Sequence, residues 1–259
     1  MIKVIFFDID STLVSHTNSA YCEVPTSARE AIEKARAKGI RCVIATGRHL
    51  SELDSLPLRD MEFDGYITLN GQLCYDAQKQ LVFGNPITGP EKEALMRVFE
   101  EQNIPMILVE DDRMYANFVD RRLIAAQTSV NAQIPETGTY KGGSVYQAVA
   151  FLTPEEMDAL TSQFPNCKIT WWTEMAVDVV PQNAGKVSGI LRYLERENIA
   201  VSETMAFGDG ENDMDMLRFV QIGVAVGNAA PHVCAAADHV TAHIDDDGIA
   251  KAMEYFHII

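Results

Sequence analysis

The chain has 259 residues, 47% of them hydrophobic and 22% charged, enough apolar material for one large domain or two modest ones with full cores. Its formal net charge of −16 disfavours nucleic acid and anionic membranes as partners, because both reward clustered Lys and Arg; a small anion stays possible, since local charge decides its binding. The five cysteines (Cys22, Cys42, Cys74, Cys167, Cys234) are odd in number and form no CxxC, which argues against a disulfide framework or a zinc site and for a reducing, cytoplasmic setting.

The chain begins with a β-branched and aromatic run at residues 2–7, which predicts a buried strand. It is too short for a signal or membrane helix, and no basic lead precedes it. The run ends in Asp8-Ile9-Asp10-Ser11-Thr12. On an extended backbone, positions i and i+2 point to one side, so Asp8 and Asp10 are expected to share a small space at the strand's carboxyl end. Two bare carboxylates that close oppose each other's ionisation, and a cation beside them removes the cost. An acidic turn that only stops the strand is the plainer alternative, since turns favour Asp, Ser and Thr.

Pro25-Thr26-Ser27 then reads as a helix start with Thr26 or Ser27 as cap. Ala28, Ile32 and Ala35 form its inner stripe and Gly39 its stop. Residues 41–45 form a second apolar run ending in Thr46-Gly47-Arg48, and 66–69 a third ending in Asn70-Gly71. This rhythm of strand and helix implies a Rossmann-like parallel sheet covered by helices. The stretch 82–183 reads differently: strands at 106–109 and 145–152 are more polar, and those around Trp171 and Val179 look paired across a short turn. It is expected to be an α+β module inserted into a catalytic core made of 1–81 and 184–259. The core rhythm resumes with a helix whose inner face is Val187, Ile190, Leu191 and Leu194, a strand at 204–207, a helix at 214–219, a strand at 222–226 and a closing helix through 249–253.

In parallel α/β sheets, ligands bind at the carboxyl ends of strands, so four segments can converge there: 8–12, 46–48, Lys186 after Asn183-Ala184-Gly185, and Gly208-Asp209-Gly210-Glu211-Asn212-Asp213. The acids of the last segment suit Mg²⁺, which takes hard oxygen ligands, few of them from protein. Taken alone they equally suit the start of the following helix.

Together these pieces resemble the haloacid dehalogenase superfamily, and in particular its Cof-type sugar-phosphate phosphatases with a C2B cap. Asp8-Ile9-Asp10-Ser11-Thr12-Leu13-Val14 is similar to that family's first motif, Ala45-Thr46-Gly47-Arg48 to its second, Lys186 to its third and residues 208–213 to its fourth. Ser11 departs from the usual glycine of the first motif. The resemblance implies Mg²⁺-dependent hydrolysis of a small phosphorylated metabolite, with Asp8 as nucleophile forming an aspartyl-phosphate and Asp10 as general acid and then base. It implies that Asp8, Asp209 and the backbone carbonyl of Asp10 hold Mg²⁺, and that Asp213 supports the metal or orients Lys186. Thr46, Lys186 and Asn212 would bind phosphate oxygens, with Gly47 and Arg48 beside them and Arg48 in reach of the leaving group. Arg48 fits a surface helix start equally well. The module at 82–183 would open and close over the site and set substrate choice. A phosphomutase of the same superfamily and a catalytically silent regulator that binds phosphorylated ligands are the alternatives; a signalling receiver domain fits poorly, needing about half this length. A cytoplasmic monomer or weak dimer is expected.

Three further signals carry less. Asp245-Asp246-Asp247-Gly248 lacks calcium-loop spacing and reads as an acidic cap on the final helix. His239 and His243, four apart, lack a surrounding metal motif. Trp171-Trp172 suits a half-buried strand face better than a sugar-stacking platform.

Overall fold

A computed structural model of the protein describes residues 1–16, 22–129 and 132–259. Residues 17–21 of the polar loop after the first strand, and the side chain of Trp172, lie outside what is described. In chain order the strands are β1 (Val4–Phe7), β2 (Arg41–Ala45), β3 (Gly65–Thr68), β4 (Leu73–Asp76), β5 (Leu81–Gly84), β6 (Met106–Val109), β7 (Met114–Ala116), β8 (Gln147–Phe151), β9 (Cys167–Thr173), β10 (Ala176–Pro181), β11 (Thr204–Gly208), β12 (Ile222–Ala225) and β13 (His239–Val240). They form an eight-stranded sheet in the order β13-β12-β11-β1-β2-β3-β4-β5 and a five-stranded sheet in the order β7-β6-β8-β10-β9. The chain divides into two compact units, one of Met1–Phe83 with Gly185–Ile259 and one of Gly84–Ala184.

In the first unit β1 lies between β2 and β11, parallel to both, with Phe6 opposite Val43 and Ala206. β1, β2 and β11 are almost wholly buried because helices cover both faces of a parallel sheet, which is why they read as unbroken apolar runs. On one face Val4, Phe6, Val43, Ile67 and Ala206 pack against Ile190, Tyr193 and Leu194 of the Lys186–Glu197 helix. On the other, the rings of Phe7 and Phe207 stack with centroids 5.4 Å apart.

Two local expectations are corrected. Neither Thr26 nor Ser27 caps the first helix, Thr26–Ala37; both lie inside it, because the Pro25 carbonyl already accepts the N–H of Ala28 at 3.0 Å and Arg29 at 3.2 Å. Gly39 does follow the helix in the left-handed region, φ +81°. In the Lys186–Glu197 helix, Leu191 is 40% exposed and the buried face is Lys186, Gly189, Ile190, Tyr193 and Leu194. The rotation follows from Gly189 and Gly71: a Cβ on Gly189 would lie 2.5 Å from Ile67 and 2.8 Å from the Cα of Gly71, so only glycine lets the helix sit this low.

The second unit is an antiparallel sheet with helices Gly89–Glu101, Arg121–Ser129 and Pro154–Thr161. Leu95, Phe99, Leu108, Tyr115, Ala150 and Val177 lie in its core. β9 and β10 pair as the hairpin anticipated around Trp171 and Val179, and Trp171 is 38% exposed. The Asp245–Asp247 acids sit at the start of the Gly248–Tyr255 helix, yet Asp247, the capping residue, makes no side-chain cap bond. The rings of His239 and Tyr255 stack 4.6 Å apart, so His239 has a packing role.

Candidate active site

β1, β2 and β11 run parallel and side by side, so the residues that follow them emerge at one edge of the sheet. Asp8 follows β1, Thr46 follows β2 and Asp209 follows β11. Lys186 enters the same place from the first position of its helix and is only 2% exposed. Its ammonium donates to Asp8 Oδ1 at 2.5 Å and to Asp213 Oδ1 at 2.6 Å. Asp213 is fully buried, and its Oδ2 accepts the backbone N–H groups of Asp209 at 3.0 Å and Gly210 at 2.9 Å. One carboxylate thus shapes the acidic loop and anchors the lysine. Gly208 makes room for it, since a Cβ there would fall 2.5 Å from that of Asp213.

The two acids of the opening pair part company. The backbone leaves the strand after Phe7 and turns at Ser11, with the N–H groups of Thr12, Leu13 and Val14 all donating to the carbonyl of Ile9. Asp8 is buried against Lys186, whereas Asp10 is half-buried and meets Arg48, whose Nε donates to Oδ2 at 2.6 Å and Nη2 to Oδ1 at 2.7 Å. Arg48 is therefore no surface helix start. His49 takes that role, its ring accepting from the N–H of Ser51 and its own N–H donating to Glu52.

The acids that gather around one point are Asp8, Asp209 and Asp213, with ligand oxygens all within 4.8 Å of one another. Against these three carboxylates stands the single ammonium of Lys186. Burial first, and then the charge of Asp213, push the Asp8 carboxyl up to about 8, which the adjacent Lys186 only partly offsets. Burial likewise raises Asp209, although the Thr12 hydroxyl donates to it at 2.6 Å. Burial also opposes ionisation of Asp10, but the hydrogen bonds and charge of Arg48, followed by His16, outweigh it and hold that carboxyl below its usual value. A compact set of hard oxygens with surplus negative charge fits a small divalent cation such as Mg²⁺. Asp8 and Asp209 have oxygens to spare, while both oxygens of Asp213 are already engaged.

The remaining expected residues line the same edge. Thr46 is buried; its hydroxyl accepts the N–H of Arg48 at 3.2 Å. Gly47 faces the amide of Asn70, which a Cβ would approach to 3.3 Å. Asn212 is exposed and its Nδ2 donates to Asn70 Oδ1 at 3.0 Å.

Four residues with no assigned part in the sequence reading help build the site. Asn70, in the left-handed region at φ 51°, donates its N–H to the carbonyl of Thr46 and joins the second and fourth segments. Thr12 pins Asp209. Asn228 bridges from the Ser11 carbonyl, 2.7 Å, to the N–H of Ile244, 3.2 Å. His16 touches Asp10 at 2.8 Å. Asn70 and Asn228 each stand beside a glycine at a strand end, a turn signal that marks position but not partner.

Ser11 occupies the left-handed region, φ +62°. A non-glycine residue there costs roughly 1–2 kcal/mol, partly offset by its smaller unfolded-state entropy. Ser11→Gly is expected to raise stability by about 0.5–1 kcal/mol, read as a thermal midpoint higher by a few degrees. An unchanged or lower midpoint would show that the serine is not strained.

A parallel-sheet core with acids and one lysine gathered at its strand ends, interrupted by an α+β insert, is a Rossmann-like α/β fold with its candidate site where such sheets bind ligands. The chain belongs to the haloacid dehalogenase-like hydrolases, whose family model matches residues 5–253. It is 32% identical over 255 residues, 97% of this chain and 96% of the relative, to the Bacillus subtilis (strain 168) protein named "Putative phosphatase YkrA". Among solved structures it is similar to BT4131, described as a subclass IIB sugar phosphatase of that superfamily, with a TM-score of 0.79 and 37% identity over 99% of this chain and 100% of the other. It is also similar to BT1666 of Bacteroides thetaiotaomicron, a phosphatase of the same superfamily, with a TM-score of 0.87 and 28% identity over 100% and 96% of the two chains. The chain is thus an enzyme of the phosphatase class. Among the described residues no helix is long and apolar enough to cross a membrane.

Proposed function

We propose that this enzyme hydrolyses small phosphate monoesters, sugar phosphates above all, through an aspartyl-phosphate on Asp8. The observation that carries the reading is the Lys186 ammonium set between Asp8 and Asp213, with Asp209 alongside. A buried carboxylate held beside one cation and two further acids is costly to the fold and explicable as a nucleophile at a phosphate site.

In the first step an Asp8 oxygen attacks phosphorus, the ester P–O bond breaks, and Asp10 gives its proton to the departing oxygen. In the second, water attacks the same phosphorus and yields a proton to Asp10. The bond to Asp8 breaks and inorganic phosphate leaves. Lys186, Thr46, Asn212 and the backbone at Gly47 bind phosphate oxygens, and Arg48 bridges Asp10 and the leaving group. Mg²⁺ would be held by the carboxylates of Asp8 and Asp209 and the backbone carbonyl of Asp10, and would supply the neutralising charge that phosphoryl transfer needs. Asp213 keeps Lys186 in place. The preference for sugar phosphates rests on the likeness to BT4131, and a cytoplasmic enzyme is consistent with the free thiols.

The test is phosphate release from a panel of phosphorylated metabolites at near-neutral pH with Mg²⁺ and with EDTA. Turnover is expected only with the metal, falling by about 100-fold or more on chelation. Turnover indifferent to EDTA sinks the metal assignment, and a panel without turnover sinks the activity.

A further inference from the structure

Resting on the reading of Asp10 as acid and base, we infer that His16 is a positioning residue that decides which oxygen of Asp10 carries the transferred proton. Among the described residues Asp10 receives three donors on two oxygens. Arg48 Nε meets Oδ2 at 2.6 Å, while Arg48 Nη2, at 2.7 Å, and His16 Nε2, at 2.8 Å, both meet Oδ1. A carboxylate has two lone-pair sites on each oxygen, so these donors fill both sites of Oδ1 and one of Oδ2, and the fork opposes protonation until it loosens. When it does, Oδ2 loses its one partner among the described residues. Oδ1 keeps His16. The proton therefore resides on Oδ2, with the carboxyl plane still fixed by the imidazole.

The ring itself is braced. His16 Nδ1 lies 3.1 Å from Cys22 Sγ, so both nitrogens have partners. Asp10, as a carboxylate, only accepts, which assigns a hydrogen to Nε2. Both His16 and Asp10 are about a third exposed, 36% and 40% of their side chains. Packing alone therefore does not hold Asp10 still, and an orienting partner has something to do.

During transfer, the proton passes from Asp10 Oδ2 to the leaving oxygen as the ester P–O bond breaks, and Oδ1 stays hydrogen-bonded to His16. A poorly aimed acid hurts most where the leaving group needs its proton. It matters least for a stabilised phenolate. The experiment compares His16→Ala, His16→Gln and Asp10→Asn on glycerol phosphate and on 4-nitrophenyl phosphate, with steady-state and pre-steady-state kinetics and the Mg²⁺ enzyme throughout.

His16→Ala is expected to lower kcat on glycerol phosphate by roughly 10- to 100-fold, part of what a general acid contributes. On 4-nitrophenyl phosphate it keeps a rapid burst of phenolate near the wild-type rate, followed by slow turnover as water attack, which also uses Asp10, becomes limiting. His16→Gln, whose amide N–H stands where Nε2–H does, recovers most of the loss. Equal losses in burst and in glycerol phosphate turnover, no loss at all, or no recovery with Gln would overturn the positioning role while Asp10→Asn remains inactive. Asp10→Asn with full turnover on glycerol phosphate overturns the acid/base reading itself, and the inference with it.

Discussion

Asp8→Asn is expected to lose turnover by about 10⁴-fold or more, the scale on which removal of a nucleophile is felt. An amide oxygen does not displace an alkoxide from phosphorus, and no other described carboxylate stands in the same relation to Lys186 except Asp213, which is fully buried and already binds the loop. The fold should survive. Asparagine matches aspartate in shape, keeps an oxygen for the Lys186 ammonium and removes one of three crowded charges. Because burial and Asp213 push the Asp8 carboxyl up to about 8, the neutral amide resembles the form that the metal-free protein already prefers below that pH. In EDTA the variant should therefore melt no lower than wild type at pH 8, and above it at higher pH. Phosphate release, acid-trapped phosphoenzyme and thermal melts check the three parts. Retained turnover, or label still trapped on the variant, would remove Asp8 from the chemistry.

Much of the sheet was legible because its strands are short apolar runs closed by polar or glycine residues. Residues 41–45 and 106–109 were anticipated to the residue, as was the helix at 214–219. The third strand was placed one residue late because Leu69, though apolar, has left the extended region at φ 49°. Periodicity could not tell that the helix after Lys186 rolls toward Gly189, since small residues are silent in an apolar stripe.

For the site, the sequence named the acids but not their grouping. An i, i+2 rule suggested that Asp8 and Asp10 confront each other, and it assumed an extended backbone that ends at Phe7. The acids that crowd Asp8 instead lie two hundred residues away in sequence, at Asp209 and Asp213. Arg48 and His16 lie opposite Asp10. Loop contacts of this kind leave no period in a sequence. Only the parallel sheet, by bringing three strand ends to one edge, creates them.

Lys186→Met follows from the same imbalance and should damage stability as well as activity. The side chain is nearly as long, but it leaves Asp8 and Asp213 buried without their cation. Removing one partner from a buried ion pair costs about 3–5 kcal/mol, which here means a midpoint lower by roughly 10 °C or more. The pH dependence has a definite sign. Asp8, raised from 3.8 to about 8 in the folded protein, binds its proton in the folded state while the unfolded chain has lost it. The metal-free wild type therefore loses stability from this group as pH rises from about 4 to about 8. Mg²⁺, binding the ionised form, should raise the midpoint more at pH 8 than at pH 5. Without Lys186 the Asp8 carboxyl is pushed higher still, so the variant's deficit in EDTA should grow as pH rises above about 8, where only the wild type ionises Asp8 at lower cost. Its turnover should fall by about 10²–10³-fold, as when a fixed charge donor at a transition state is removed. Melts at pH 5, at pH 8 and at about pH 9.5, with EDTA and with Mg²⁺, separate the possibilities. A deficit equal at pH 8 and at about pH 9.5 would mean that Lys186 matters for its packing, and no deficit would mean that the acids around it do not repel.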